Sequence, residues 1–274
     1  MVFFKINGKF IRMLAVTIII ILLLITFVWL AGVFVTNDFS LPNASISKYK
    51  NVLIIFPHAD DEVLTTGGLI GALKDQGSHV TLVVLTKGEK GTPTGELKLS
   101  LKETRTAEVQ SVSKILGVSN LTQEDFGDGD LVNKRDEITQ YLSELITQKK
   151  PDLILTYDQA GLYGHPDHIV VAEIITDLVN RQFNKTDLWY VTYPQRVLSM
   201  MHLPEHMANN PNYKDKRKAP NIKFFIVPYS TNKLRAVYEY KSQEQSFKSA
   251  VPVRQVPLWF WHSMPLYEYF YTVN

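Results

Sequence analysis

The sequence predicts one α/β domain, a mainly parallel sheet with helices on both faces, preceded by a single transmembrane helix. Three observations predict it. Short runs of Val, Leu and Ile alternate with segments of helical periodicity from residue 51 to about residue 193. Two of those runs, 52–56 and 153–157, lead directly into clusters of His and Asp. Residues 13–35 are an apolar stretch without a charge.

The elements follow in order. Residues 51–56 read as a strand, and 67–76 as a helix stopped by Gly77. Residues 79–86 are a second strand, and 99–116 a helix ending at Gly117. A weaker strand at 121–126 runs into the turn Gly127-Asp128-Gly129. An amphipathic helix at 135–148 is closed by Pro151, and 153–157 is a buried strand. Pro166 fits the first turn of a helix at 166–181, and 188–192 is a further strand. Strands and helices at this spacing give βαβ units, the Rossmann-like arrangement. Beyond Pro194 the pattern is less regular, with a strand at 222–227, a helix at 233–243 and an aromatic-rich stretch at 257–271.

Residues 13–35, at ~1.5 Å per residue, reach about 35 Å and span a ~30 Å hydrocarbon core. Lys5, Lys9 and Arg12 precede them, and Trp29 sits near the far end as an interfacial anchor. The basic flank places a stub, 1–12, in the cytoplasm and the main domain, 51–274, outside, joined by a polar tether at 36–50. The protein is therefore expected to be a single-pass membrane protein with an extracytoplasmic domain. A cleaved signal peptide competes, but the apolar run is longer than such a peptide carries and no small-x-small cleavage site stands out.

Composition narrows the function. Of 274 residues, 29 are basic and 27 acidic, and no basic stripe suits nucleic acid. The run 214–218 is short and reads as a solvated loop. The chain has no cysteine, so any metal must be held by His and carboxylate.

Pro57-His58-Ala59-Asp60-Asp61-Glu62 follows the first strand, and Tyr163-Gly164-His165-Pro166-Asp167-His168 the fourth. Ligands of open α/β sheets bind just outside the carboxyl ends of strands. His58 and Asp61 leave one strand in a tight loop; His165 and His168 stand three apart at a helix start and share a face. His58, Asp61 and one of that pair make a three-ligand metal site, His168 being the better fixed. Asp60 is then a free carboxylate beside the metal, suited to act as general base. His165 is placed to bind an oxyanion or protonate a leaving group. Capping alone would account for the Asp residues less well, since three acids in a row after a buried strand need a cation. His202 and His206, spaced i, i+4, have Pro204 between them and read as surface loop.

These motifs resemble those of the PIG-L/LmbE-like zinc N-deacetylases. Residues 57–62 look like the family's P-H-x-D-D-E signature, and 157–168 like its second signature. Arg105-Thr106-Ala107-Glu108 with Leu116-Gly117 is similar to its R-x-x-E helix. The resemblance implies Zn2+ on His58, Asp61 and His168 (Fe2+ or Co2+ suits the same donors), Asp60 as base and His165 as acid or electrostatic partner. It further implies Tyr163 near the carbonyl oxygen and Arg105 reaching the substrate's polar end. The implied substrate is an N-acetylated glucosaminyl group on a glycolipid or other glycoconjugate. An amidase for another amide, such as a thiol-sugar conjugate, or a membrane-tethered glycan-binding protein, would use the same fold. Two departures stand out: Ala59 replaces a Pro, and Tyr240 stands where the family often has His.

Overall fold

The structure is a computed structural model describing residues 8–92, 98–203 and 215–273. Lys5, His206 and Lys214 lie outside the described residues. Seven strands form one sheet in the order β3-β2-β1-β4-β5-β7-β6. They are β1 (Asn51–Phe56), β2 (His79–Val84), β3 (Asn120–Gln123), β4 (Leu153–Tyr157), β5 (Asp187–Thr192), β6 (Ile222–Phe225) and β7 (Tyr267–Thr272). The pairs among β1 to β5 are parallel, while β7 runs antiparallel to both β5 and β6.

Alternation along β1 shows how the sheet divides the core. Val52, Ile54 and Phe56 join one apolar cluster with Leu69, Leu73, Val109 and Val112. Leu53 and Ile55 point the other way, into a cluster with Ile138, Leu142, Ile175 and Leu178. Helices α3 (Gly67–Asp75) and α4 (Ser100–Leu116) thus cover one face. Helices α5 (Arg135–Lys149) and α7 (Pro166–Arg181) cover the other. The strand is apolar on both sides because both faces are buried.

The chain runs outward from β1 to β3, then returns to β4 on the far side of β1. The β1/β4 border is therefore the topological switch point, where the loops after the two strands diverge and leave a crevice.

Three features differ from the sequence-based expectation. A short helix, α2 (Asp61–Thr65), begins within the first His/Asp cluster, so the tight loop ends at Asp60. The aromatic stretch holds a short helix (Leu258–His262) and then β7, which inserts between β5 and β6. Its Phe270 is fully buried and its Tyr269 nearly so, which accounts for the aromatic density. Finally, the polar segment 36–50 is held against the domain. Asn37 and Tyr49 are 1% and 3% exposed, Ala44 N donates to Lys223 O, and Tyr49 Oη donates to Asp187. It forms a strap running from Met264 down to the start of β1.

One continuous helix, α1 (Gly8–Thr36), precedes the strap; its 29 residues are long and apolar enough to cross a membrane.

Candidate metal centre

β1 ends at Phe56, and Pro57 turns the chain so that His58 enters the switch-point crevice. His58 N–H donates to Asp61 Oδ2 at 3.0 Å, which folds the Asp61 carboxylate back beneath the loop. Between them, Asp60 adopts φ 106°, a left-handed conformation a non-glycine residue rarely holds. Asp60 N–H donates to Glu62 Oε2 at 3.1 Å, fixing that turn.

The second cluster is set by α7. His165 caps the helix, its Nδ1 accepting from Asp167 N–H at 3.2 Å, and Pro166 occupies the first turn. His168 then lies on the inward face, fully buried, with its ring stacked on Tyr157 at 4.3 Å. Tyr157 Oη donates to Asp61 Oδ1 at 2.7 Å, so one strand-end tyrosine positions two residues of the cluster.

Three donors converge. His58 Nδ1 is 3.3 Å from His168 Nε2, His168 Nε2 is 3.5 Å from Asp61 Oδ1, and Asp61 Oδ2 is 3.7 Å from His58 Nδ1. Ligand atoms held about 2.0–2.2 Å from a tetrahedral zinc lie about 3.3–3.6 Å from one another. Donor spacings of 3.3–3.7 Å, two of them to different oxygens of Asp61, are close to those of a zinc site, and the donor types suit one. His165 also brings a ring nitrogen within 4.8 Å of those of His58 and His168. Its Nδ1 is engaged by the backbone, as both Asp61 oxygens are by His58 N–H and Tyr157 Oη, so either residue can supply the third donor.

The far side of His58 explains the tautomer. Nε2 lies 3.2 Å from both Asp128 Oδ1 and Asp167 Oδ2, so that nitrogen keeps its proton and Nδ1 offers a lone pair. Burial opposes a charge on His58, yet the bonds to Asp128 and Asp167 hold its pKa well above the usual imidazole value, so a metal taking up the Nδ1 lone pair would displace a proton from that nitrogen. Asp128 accepts from Lys90 N–H at 2.8 Å, and Asp167 from Gly129 N–H at 2.7 Å. The turn 127–129, prominent in the sequence only for its glycines, thus carries a carboxylate of the centre. Its position after a strand end was the available signal. Tyr157 carried no signal beyond closing an apolar run.

Asp60 stands beside the triangle. Burial raises its carboxyl to about 7, against the opposing pull of Arg105. Arg105 lies against Asp60. It is 2% exposed, and its guanidinium faces inward, 3.3 Å from Asp60 Oδ2 and donating to the carbonyls of Ala59 and Gly88. Gly88, at φ +67°, permits that approach, since a Cβ there would meet Arg105 at 2.5 Å. Arg105 braces Asp60 from within the domain.

His165 is held neutral: burial, then the imidazoles of His168 and His58, push it down to about 3. A neutral His165 is a poor acid for a leaving group and a suitable hydrogen-bonding partner. The Tyr163 ring packs edge-on against His168 at 5.3 Å, in the turn α6 (Gly161–Gly164). Asp158 ties that turn, accepting from Ala160 N–H and Leu162 N–H. Glu62, fully buried, is pushed up to about 8 by burial and accepts from Tyr240 Oη. The family's frequent His at this position is thus replaced by a phenol donor that serves Glu62.

Residues 53–179 match the family model described as GlcNAc-PI de-N-acetylase. The chain is 31% identical to the diacetylchitobiose deacetylase of Thermococcus kodakarensis over 214 residues, covering 75% of this chain and 74% of that one. It is 34% identical to the 1D-myo-inositol 2-acetamido-2-deoxy-alpha-D-glucopyranoside deacetylase of Corynebacterium glutamicum strain R over 146 residues, 45% of this chain and half of that protein. Among solved structures, the N,N'-diacetylchitobiose deacetylase from Pyrococcus horikoshii aligns with a TM-score of 0.55 at 21% identity, covering 88% of each chain. GalB, a 4-carboxy-2-hydroxymuconate hydratase from Pseudomonas putida, aligns at 0.58 and 17% identity over 82% of this chain and 96% of that one. The fold is thus shared across different chemistries, and the residues of the site must carry the function.

Proposed function

The chain belongs to the PIG-L family of metal-dependent N-deacetylases, and on that premise we propose that it removes the acetyl group from an N-acetylated glucosaminyl unit with zinc held by His58, Asp61 and His168. The donor triangle at the switch point, with Asp60 beside it, is the observation that carries this reading. The relatives' names share a 2-acetamido-glucosyl group and differ in what is attached to it. We therefore assign the acetamido sugar and not the aglycone.

Zinc in this position would polarise the amide carbonyl and acidify the attacking water. Asp60 takes the proton from that water as it adds to the carbonyl carbon. The raised carboxyl pKa suits this exchange near neutrality, and Arg105 keeps the ionised form accessible. Asp60 then returns the proton to the departing amine nitrogen, since His165 is held neutral. Tyr163 and His165 line the place where the oxyanion develops and can donate hydrogen bonds to it.

The same reading makes α1 a membrane anchor, with residues 1–12 cytoplasmic and the deacetylase domain, 51–274, outside. Its support is the helix's length and the basic residues Lys9 and Arg12 in its first turns, ahead of the apolar run. The deciding experiment is acetate release by the full chain in nanodiscs from N-acetylglucosaminyl lipid, GlcNAc-inositol and chitooligosaccharides, with and without a chelator. Chelator-sensitive release is expected; a zinc-loaded protein releasing nothing from any of them would overturn the proposal.

A further inference from the structure

Helix α1 meets the domain through its last turns, against residues 195–198 and 263–264. From Gly8 to Val28 it is exposed along its whole length. At its end, Trp29 Nε1 donates to Ser263 Oγ at 2.9 Å. Gly32 packs on Met264, where a Cβ would sit 2.4 Å from the sulfur. Asn37 then closes the joint, donating to Met264 O at 2.9 Å and accepting from Leu266 N–H at 2.7 Å. The helix therefore does not swivel on a loose linker; its direction is coupled to the domain's.

Topology says which end of the domain this is. β7 runs antiparallel to β5, with Tyr269 opposite Thr192, the last residue of β5. Residues 258–266, which precede β7, therefore lie beyond the carboxyl ends of the parallel strands. His58, Asp61 and His168 lie beyond the same ends of β1 and β4. The foot of α1 and the metal-donor cluster share one end of the sheet.

At that end, the segment leading into Ser263 presents apolar groups to solvent. Trp259 is 51% exposed and Val253 45%, and Arg254 between them is exposed as well. Phe260 and Trp261 are partly exposed, and Trp29 stands beside Ser263. Tryptophan, aliphatic and Arg side chains together suit the headgroup layer of a bilayer, where rings sit amphipathically and a cation meets phosphate.

We propose that residues 253–261 form a membrane-contact surface, resting in the interfacial layer of the bilayer that α1 crosses and presenting the metal centre to substrates borne on that surface. This rests on α1 being a membrane span and on the deacetylase reading above. The substrate class it selects is an N-acetylated sugar carried on a lipid. A rigid joint makes the contact persistent, because the helix that fixes the protein to the bilayer also fixes which end of the sheet faces it.

The natural absence of cysteine makes the test clean. Single cysteines would be introduced into the full chain by Val253→Cys, Trp259→Cys, Leu22→Cys and Asp75→Cys, each labelled with a nitroxide in phosphatidylcholine–phosphatidylglycerol nanodiscs. Asp75 ends α3 at the opposite end of the sheet and serves as the water reference. Labels at 253 and 259 should be at least about threefold less accessible to a nickel chelate than the label at 75, and more accessible to oxygen. Equal nickel accessibility at 253, 259 and 75, with 22 in lipid, would overturn the contact surface alone. A water-exposed label at 22 would overturn the span and the surface together. As a second readout, Trp259→Glu should lower acetate release from a GlcNAc-bearing lipid by about tenfold relative to release from diacetylchitobiose. An unchanged ratio counts against the lipid-borne substrate, whereas no release from either compound counts against the deacetylase reading.

Discussion

Asp60 and His168 occupy neighbouring positions but lose different things on substitution. Asp60→Asn keeps the side chain's shape and removes its basicity, so turnover should fall by about 10²–10⁴-fold. Bound zinc, counted by plasma emission, should stay at one per chain. His168→Ala removes a fully buried donor and should abolish zinc binding; stoichiometric zinc in that variant would refute the ligand assignment. A third residue sets a pH dependence away from the centre. Burial and the nearby Lys233 push His262 down to about 4. The unfolded chain protonates this histidine near ~6.5 and the folded chain only near 4, so acidification through that window favours unfolding. Chemical-denaturation midpoints should fall as pH drops from 6.5 to 4, and His262→Gln should fall less. At this scale the sequence shows the His and Asp cluster that the fold brings together, because His is scarce and these residues stand at strand ends. It did not show Asp128 or Tyr157, whose roles depend on which loops meet across the switch point. Nor did it show that Arg105 turns inward, since an R-x-x-E helix reads the same whichever side faces the pocket.

Elements act on the site through their ends. Gly161 adopts φ +60°, and a Cβ there would sit 2.9 Å from His168 Cβ and 3.0 Å from the Ile169 backbone nitrogen. Gly161→Ala should therefore displace the start of α7 and weaken zinc binding by about tenfold in competition with a chelator, besides costing ~1 kcal/mol of backbone strain. An unchanged affinity would show that α7 absorbs the methyl without moving His168. A second junction joins β7 to α3. Glu268, 2% exposed, accepts from Gly68 N–H at 2.7 Å and Leu69 N–H at 2.8 Å, and pairs with Lys233 at 2.7 Å. A carboxylate at a helix N-terminus with a buried ammonium beside it is stable only as a set. Glu268→Ala should cost ~3–5 kcal/mol in urea unfolding, leaving Lys233 uncompensated. Adding Lys233→Met should recover part of that loss, and a double variant no more stable than the single would deny the coupling. The regular βαβ elements were legible because their periodicity switches cleanly between two and 3.6. β7 was not, since an aromatic run that pairs antiparallel in a sheet's interior carries no helix–strand alternation to announce it.

For the whole molecule, zinc would join parts of the chain that the sheet holds only indirectly. Its proposed donors come from the β1 loop and from α7, 110 residues apart in sequence. Without a cation, two imidazoles and a carboxylate face one another at 3.3–3.7 Å in a buried space, with Asp60 beside them. Such a cluster is desolvated, which favours the unfolded chain. Zinc at 100–1,000 times its Kd should stabilise the fold by about 2.7–4.1 kcal/mol. For a domain of this size that is a melting shift on the order of 5–15 °C. Chelation of the full chain in nanodiscs should remove that shift, and added zinc should restore it. His168→Ala should show neither response, whereas Asp60→Asn should show both in full. A zinc response that survives in His168→Ala would locate the stabilising metal elsewhere, for instance among His58, Asp128 and Asp167, whose donor atoms also lie within 4.8 Å of one another. A response lost in Asp60→Asn would instead make Asp60 a ligand and deny it the role of base, because a carboxylate cannot both bind the metal and remain free to take the proton.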